Sequence, residues 1–262
     1  MTAKLTVADL CQFLETFAPS SLAAEWDNVG LLVGDRQQKL DRVMTCLTVT
    51  PAVVAEAIRE RADCVVTHHP LPFRPLKRLT TDEPAGRLLL DLIRAGVAVY
   101  SPHTAFDSAS KGINQQLADG LGLVDVQPLV PGKSFGTGRI GRFNQPQTLG
   151  QIAAMLKQFL TIGGLHAVGD VRRSIERVAI ACGSAADLLD SAIAAGCDLF
   201  VTGEARLHTC YEAESRGIAM LLAGHYASER FGVERLAEVL AVQFPSATIW
   251  ASRDERDPLC WL

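Results

Sequence analysis

The sequence predicts an α/β protein of two similar lobes, produced by an internal duplication, with a metal site between them. Three observations predict this. Short runs of β-branched and apolar residues alternate with helical stretches of about ten residues, the pattern of βαβ units around a mostly parallel, buried sheet. The segment from Asp41 to Thr67 matches the segment from Glu176 to Thr202 without a gap. Each copy then ends in a histidine with a carboxylate four residues further on, His103 with Asp107 and His225 with Glu229.

Taken in order, the first twenty residues place Leu5, Leu10, Phe13, Leu14 and Phe17 at helical spacing with Asp9 and Glu15 between them, an amphipathic helix. Asp27-Asn28-Val29-Gly30 reads as a turn into a strand. The first copy reads as strand 43–49, helix 51–61, strand 64–67, helix 85–95 and strand 97–101. Pro51 stands at a first helical position, where its missing N–H costs nothing. A helix follows within 112–123, then a Pro/Gly-rich stretch over 128–141, then a helix over 148–160. The second copy repeats the order: strand 177–182, helix 185–195, strand 198–202, helix 206–216 and strand 218–223. Ser184 is the expected N-cap of its first helix, and Gly196 the expected left-handed C-cap. A helix over 228–242 and a strand over 248–251 close the chain. The lobes divide at 1–124, including the N-terminal helix, and 125–262.

Composition narrows the function. Hydrophobic residues at 48% and charged residues at 21% of 262 positions describe an ordinary globular chain with a sizeable core. A formal net charge of -4 provides no basic footprint for nucleic acid. No apolar run approaches the ~18 residues of a membrane span, and the amphipathic N-terminus is not a signal peptide. Seven cysteines, an odd number without a C-x-x-C pair, exclude a zinc ribbon and a disulfide framework. Cys46, Cys64 and Cys182 lie in apolar strands, where a thiol behaves as a small core residue. A reducing cytoplasm is the expected location.

The chemistry sits at strand ends, where open α/β sheets form their ligand sites. His68 and His69 follow strand 64–67, His103 follows strand 97–101, and His225 follows strand 218–223. With Asp107 and Glu229 they make a mixed nitrogen and oxygen donor set, suited to Zn²⁺, Mn²⁺, Fe²⁺ or Ni²⁺ more than to Ca²⁺ or Mg²⁺. One catalytic ion takes three protein ligands. Six candidates therefore point to two ions, about 3.5–4 Å apart with a bridging carboxylate. Glu204 aligns with His69 across the copies and can face the same cavity. His208 aligns with no candidate ligand and reads as structural or substrate-facing. Gly136-Thr137-Gly138-Arg139-Ile140-Gly141 superficially suggests a phosphate loop, but it does not join a strand to a helix in a βαβ unit.

Six segments together resemble the NIF3-like family, often named GTP cyclohydrolase 1 type 2 homologues. They are Glu25-Trp26-Asp27-Asn28-Val29-Gly30-Leu31, Thr67-His68-His69-Pro70, His103-Thr104-Ala105-Phe106-Asp107, Gly138-Arg139-Ile140-Gly141, Thr202-Gly203-Glu204 and Gly224-His225-Tyr226-Ala227-Ser228-Glu229. The resemblance covers nearly the whole chain and fits the short form, which lacks the domain that long members insert between the halves. It implies two divalent ions: His68 and His69 serving one each, Asp107 as the first-half carboxylate, and His225 with Glu229 as the second-half pair, Glu229 bridging. It places His103 beside the ions as a catalytic or orienting group. It implies a ring-like homo-hexamer, and a metal-dependent hydrolase whose substrate, GTP attacked at guanine C8, follows from the family's name alone. The alternative is a metal-binding scaffold or regulatory interaction protein without turnover. Cys182-Gly183-Ser184-Ala185 departs from the glycine-rich turn expected there.

Overall fold

A computed structural model describes residues 4–132 and 136–260. In chain order the first elements are α1 (Val7–Phe17), β1 (Gly30–Val33), β2 (Arg42–Cys46), α2 (Pro51–Arg59), β3 (Cys64–Thr67), α3 (Pro84–Arg94), β4 (Ala98–Ser101) and α4 (His103–Ser108). There follow α5 (Ile113–Gly120), β5 (Val124–Gln127), β6 (Val130–Pro131), β7 (Gly136–Thr137), β8 (Arg139–Thr148), α6 (Leu149–Leu160) and β9 (His166–Val168). The chain closes with β10 (Ser174–Ala181), α7 (Leu189–Ala194), β11 (Leu199–Thr202), α8 (Leu207–Ser215), β12 (Ala219–Leu222), α9 (His225–Gln243) and β13 (Thr248–Ala251). Two compact units result, Met1–Phe106 with Gly232–Arg256, and Asp107–Phe231 with Asp257–Leu262.

The first unit holds a five-stranded sheet in the order β1-β4-β3-β2-β13. Strands β4, β3, β2 and β13 run parallel, with β13 at one edge, and β1 closes the other edge antiparallel. Strands β3 and β4 are buried at every position, which is why their sequences are continuous apolar runs rather than alternating ones. Met44, Val53, Ala57, Val65, Leu92, Val99 and Trp250 form the core. Helix α2 starts as its sequence dictates: Thr50 Oγ1 accepts from Val53 N, and Pro51 occupies the first turn. Helix α1 begins later than residue 1, at a capping box between Thr6 and Asp9. Residues 1–3 of the expected helix lie outside the described residues.

The second unit holds a six-stranded sheet in the order β5-β8-β10-β11-β12-β9. Here the sequence expectation of a mostly parallel sheet needs correction. Only β10, β11 and β12 run parallel, while β5, β8 and β9 pair antiparallel. The Pro/Gly-rich stretch over 128–141 holds β6 and β7 and leads into β8 (residues 133–135 lie outside the described residues). Gly141 and Pro146 hid β8 by breaking its hydrophobic pattern. The pairing tolerates Pro146 because the register shifts between Ile175 and Arg177. Helix 185–195 is also shorter than expected. A 3₁₀ turn at Ala186–Leu188 precedes α7, and Ser184 does not cap it. Gly196 does take the left-handed conformation, with φ of 69°.

The two units repeat each other's local bonding. Asp63 Oδ2 accepts from the N–H groups of Asp41 and Arg42, both at 2.7 Å. Asp198 Oδ2 accepts from those of Glu176 and Arg177, both at 2.9 Å. Registers agree too: Val43 lies opposite Cys64, and Val178 opposite Leu199. Among the described residues no helix is long and apolar enough to cross a membrane.

Candidate functional site

In the first unit, the candidate residues gather at the carboxyl ends of β3 and β4. The backbone N–H groups of His68 and His69 donate to Cys46 O and Leu47 O at 2.9 and 2.8 Å, which extends the ladder past β3. Ser101 Oγ, ending β4, donates to His68 O at 2.6 Å. His103 opens α4 with φ of 27°, a backbone state that costs a residue with a side chain. Asp27 holds it there. One carboxylate oxygen of Asp27 meets His103 Nδ1 at 2.7 Å, and the other accepts from Thr104 N at 3.1 Å and from the Thr104 hydroxyl. Burial pushes the Asp27 carboxyl up, but the hydrogen bonds from His103, Thr104 and Asn28 outweigh it and hold the group at about 2. The rings of His68, His69 and His103 lie 5.2 to 5.7 Å apart between centroids. Each offers a nitrogen, and these atoms lie within 4.8 Å of one another. Trp26, 64% exposed, and Phe73 flank His103 with ring centroids 6.0 and 6.1 Å from it.

In the second unit, α9 begins on His225 itself, three residues earlier than the sequence suggests. His225 and Glu229 thus fall on one helical face, and His225 Nε2 lies 3.1 Å from Glu229 Oε2. On its other side His225 Nδ1 meets Glu204 Oε1 at 3.0 Å. The Glu229 hydrogen bond lifts the imidazole; burial opposes it, and Glu204 adds to it, so that the group titrates at about 9. Glu229 is buried and Glu204 exposed. The turn after β10 is shaped around them. Gly183 O accepts from Gly203 N and Glu204 N, both at 3.1 Å, and Gly183 N donates to Ser228 Oγ at 3.0 Å. A Cβ on Gly183 would stand 2.0 Å from Glu229 Oε1 and 3.3 Å from His225 Nε2. The glycine therefore keeps open the space in which these donor atoms lie.

Asp107 belongs to the same unit. Cys182 Sγ donates to Asp107 Oδ1 at 3.1 Å, and Asn114 joins the two, giving its amide N–H to Asp107 O and accepting from Cys182 N. Burial pushes the Cys182 thiol up strongly, and the negative charges of Asp107 and Glu229 push it further, so it stays a neutral donor. Arg139 anchors the chain just beyond. It is fully buried and donates to Ser108 O and Ala109 O at 2.8 and 2.7 Å, to Gly136 O and Gly138 O, and to Gln115 Oε1. Burial lowers its guanidinium to about 10.

All the candidates thus sit in two well-built clusters, His68, His69 and His103 in one unit and Asp107, His225 and Glu229 in the other. Imidazoles and carboxylates held this firmly have the donor chemistry to bind a divalent ion of the zinc, manganese, iron or nickel kind. His208 stands exposed on α8, among none of the ligand groupings found in the described residues. The sequence reading missed three contributors. Asp27 was a turn residue and Cys182 a core thiol, and Thr48, whose Oγ1 lies 2.7 Å from His69 Nδ1, went unmarked. The glycine segment 136–141 is strand and strand entry, with no phosphate loop.

Residues 5–258 match the family model described as Duf34/NIF3 (NGG1p interacting factor 3). The chain belongs to the Duf34/NIF3 family. A GTP cyclohydrolase 1 type 2 homolog from Clostridium acetobutylicum is 35% identical over 229 residues, covering 86% of this chain and 85% of that protein. NIF3-like protein 1 of Drosophila melanogaster is 32% identical over 261 residues, 97% of this chain and 88% of the relative. Among solved structures, Staphylococcus aureus protein SA1388 superposes with a TM-score of 0.90 at 26% identity, over 98% of this chain and 99% of that one. Reduced HcgD from Methanocaldococcus jannaschii superposes with a TM-score of 0.84 at 26% identity, over 96% and 99%. In this Duf34/NIF3 chain, the family-like segments supply Asp27, the His68–His69 pair, His103, Asp107, Arg139, Glu204, His225 and Glu229, all of them residues with the buried or paired roles described above.

Proposed function

We propose that this protein is a dinuclear metal-dependent hydrolase in which the two clusters share two divalent ions. His68, His69, Asp107, His225 and Glu229 would hold them, each offering an imidazole nitrogen or a carboxylate oxygen. The observation that carries the reading is the cluster of three strand-end imidazoles, whose nitrogens lie within 4.8 Å of one another. The repeated Asp63 and Asp198 bonds support descent of the two units from one duplicated half. Bound divalent ions would supply Lewis acidity and a water acidic enough to attack near neutral pH. The chain's own residues do the rest. Asp27 fixes His103 through Nδ1, which leaves Nε2 as the atom that takes a proton from water or returns one to a leaving group. Trp26 and Phe73 wall the approach to His103. The relatives' name, GTP cyclohydrolase 1 type 2 homolog, suggests nucleotides as the first substrates to try. The chemistry and the family resemblance also fit a cytoplasmic homo-oligomer, a hexameric ring; a monomeric mass by light scattering would overturn that part.

Elemental analysis of the purified protein, then turnover of a nucleotide and phosphoester panel, tests the proposal. Two ions per chain and hydrolysis lost by at least roughly a hundredfold in Glu229→Gln are expected, with the fold intact by circular dichroism. Absence of bound or bindable divalent ions overturns it. Metal binding without turnover across the panel would assign the second reading, a non-catalytic metal-binding scaffold, which the family description as an interacting factor favours.

A further inference from the structure

We propose that Thr48, held in place by the side-chain carboxylate of Glu255, sets the tautomer and ring orientation of His69. The inference rests on the metal reading above, since it concerns how one proposed ligand is made ready, and every residue in it lies in the first unit.

The turn from β2 into α2 presents two backbone N–H groups, and both are taken by one side chain. Leu47 N and Thr48 N donate to the two oxygens of Glu255 at 2.9 and 2.7 Å. Glu255 is 4% exposed, so its oxygens, largely out of reach of water, need such donors. A second carboxylate fixes Glu255 in turn. Glu56, at 0% exposure inside α2, accepts from Trp250 Nε1, from Ser252 Oγ, and from the N–H groups of Arg253 and Asp254. Ser252 Oγ then accepts from Glu255 N at 3.2 Å. The segment 252–255 is thereby clamped to α2 and closes on the 47–48 turn.

What that turn holds is His69. His69 N donates to Leu47 O at 2.8 Å, Thr67 Oγ1 donates to His69 O at 3.0 Å, and Thr48 Oγ1 lies 2.7 Å from His69 Nδ1. An imidazole coordinates through a lone pair, so the nitrogen facing the ion must be bare and the other must carry the proton. With Nδ1 against Thr48, coordination runs through Nε2, and the Nδ1 proton is donated to Thr48 Oγ1. Thr48 is thus a positioning residue that selects one of two neutral tautomers. The second unit solves the same task differently. There the aligned position is Gly183, and the carboxylate Glu204 orients His225 through Nδ1.

Two measurements on the full chain test this: two-bond ¹H–¹⁵N correlation of the histidine rings in metal-free protein at pH 8, and Zn²⁺ affinity by chelator competition. The wild type should show His69 protonated at Nδ1. Thr48→Val, which keeps the shape and removes the acceptor, should lose that tautomer and weaken Zn²⁺ binding by roughly 10–100-fold, while Thr48→Ser restores both. Glu255→Gln should move both readouts in the direction of Thr48→Val. An Nε2-protonated His69 in the wild type overturns the proposal. So does a Thr48→Val protein whose ring signals are unchanged, or a Thr48→Ser protein as impaired as Thr48→Val. An unaffected Glu255→Gln removes Glu255 from it. Wild type that binds no Zn²⁺ defeats the metal reading instead, and the ring signals still decide for or against Thr48.

Discussion

A single methyl group separates packing from chemistry in the second unit. Gly183 and Gly196 both hold left-handed backbone, with φ of 65° and 69°, so alanine at either costs about 1 kcal/mol in backbone strain. Nothing lies within 4 Å of a Cβ on Gly196, whereas one on Gly183 falls 2.0 Å from Glu229 Oε1. Urea unfolding should therefore show Gly196→Ala destabilised by about 1 kcal/mol and Gly183→Ala by about 2–4 kcal/mol, the excess being the overpacking against Glu229. Only Gly183→Ala should lose divalent-metal affinity; equal affinity in the two variants would remove Glu229 from the ligand set. The candidate metal-binding residues were legible in the sequence, because histidines following apolar strands have few other reasons to recur in register with a carboxylate. Their supports were not. Asp27 meets His103 across 76 residues and Thr48 meets His69 across 21, and no spacing rule connects residues that only the fold brings together.

At the level of elements, the strand β13 and its tail depend on one side chain in α2. Burial raises the Glu56 carboxyl, but the bonds from Ser252, Arg253, Asp254 and Trp250 outweigh that and hold it below its ordinary 4.5. A carboxyl depressed in the folded state adds stability that is complete above its unfolded value and is lost as pH falls through the folded one. Glu56→Gln should therefore be about 2–3 kcal/mol less stable than wild type at pH 7, with the gap closing as pH drops below about 4. Urea unfolding at pH 7, 4 and 3 measures this, and a gap independent of pH would assign the effect to shape alone. The sequence located β13 well, since Thr248–Ala251 is a short apolar run after a helix, but its dependence on Glu56 was invisible there. It located the parallel strands for the same reason, each being an apolar run bounded by turn residues. It missed β8, whose apolar pattern Gly141 and Pro146 interrupt, and β9, a three-residue edge strand that opens on His166, so neither carries a periodic signal.

For the whole molecule, each unit has its own sheet and its own core, so two unfolding transitions are expected without metal. Ligands drawn from both units, as proposed, would make metal binding a property of the intact chain and couple the two unfolding events. An ion that binds only the native state stabilises it by about 2.7 kcal/mol at a hundred times its Kd. In a chain of this size each kcal/mol raises Tm by about 2–4 °C, so two Zn²⁺ or Mn²⁺ ions, each at a hundred times its Kd, should raise it by roughly 10–20 °C and sharpen two transitions into one. His68→Ala, in the first unit, and Glu229→Gln, in the second, should each abolish the whole shift, because either removes a ligand from the shared pair of ions. Differential scanning calorimetry with and without metal, and after chelation by EDTA, measures it. A shift halved by each variant, with two transitions surviving in metal, would mean that each unit binds its own ion and that the two clusters work apart.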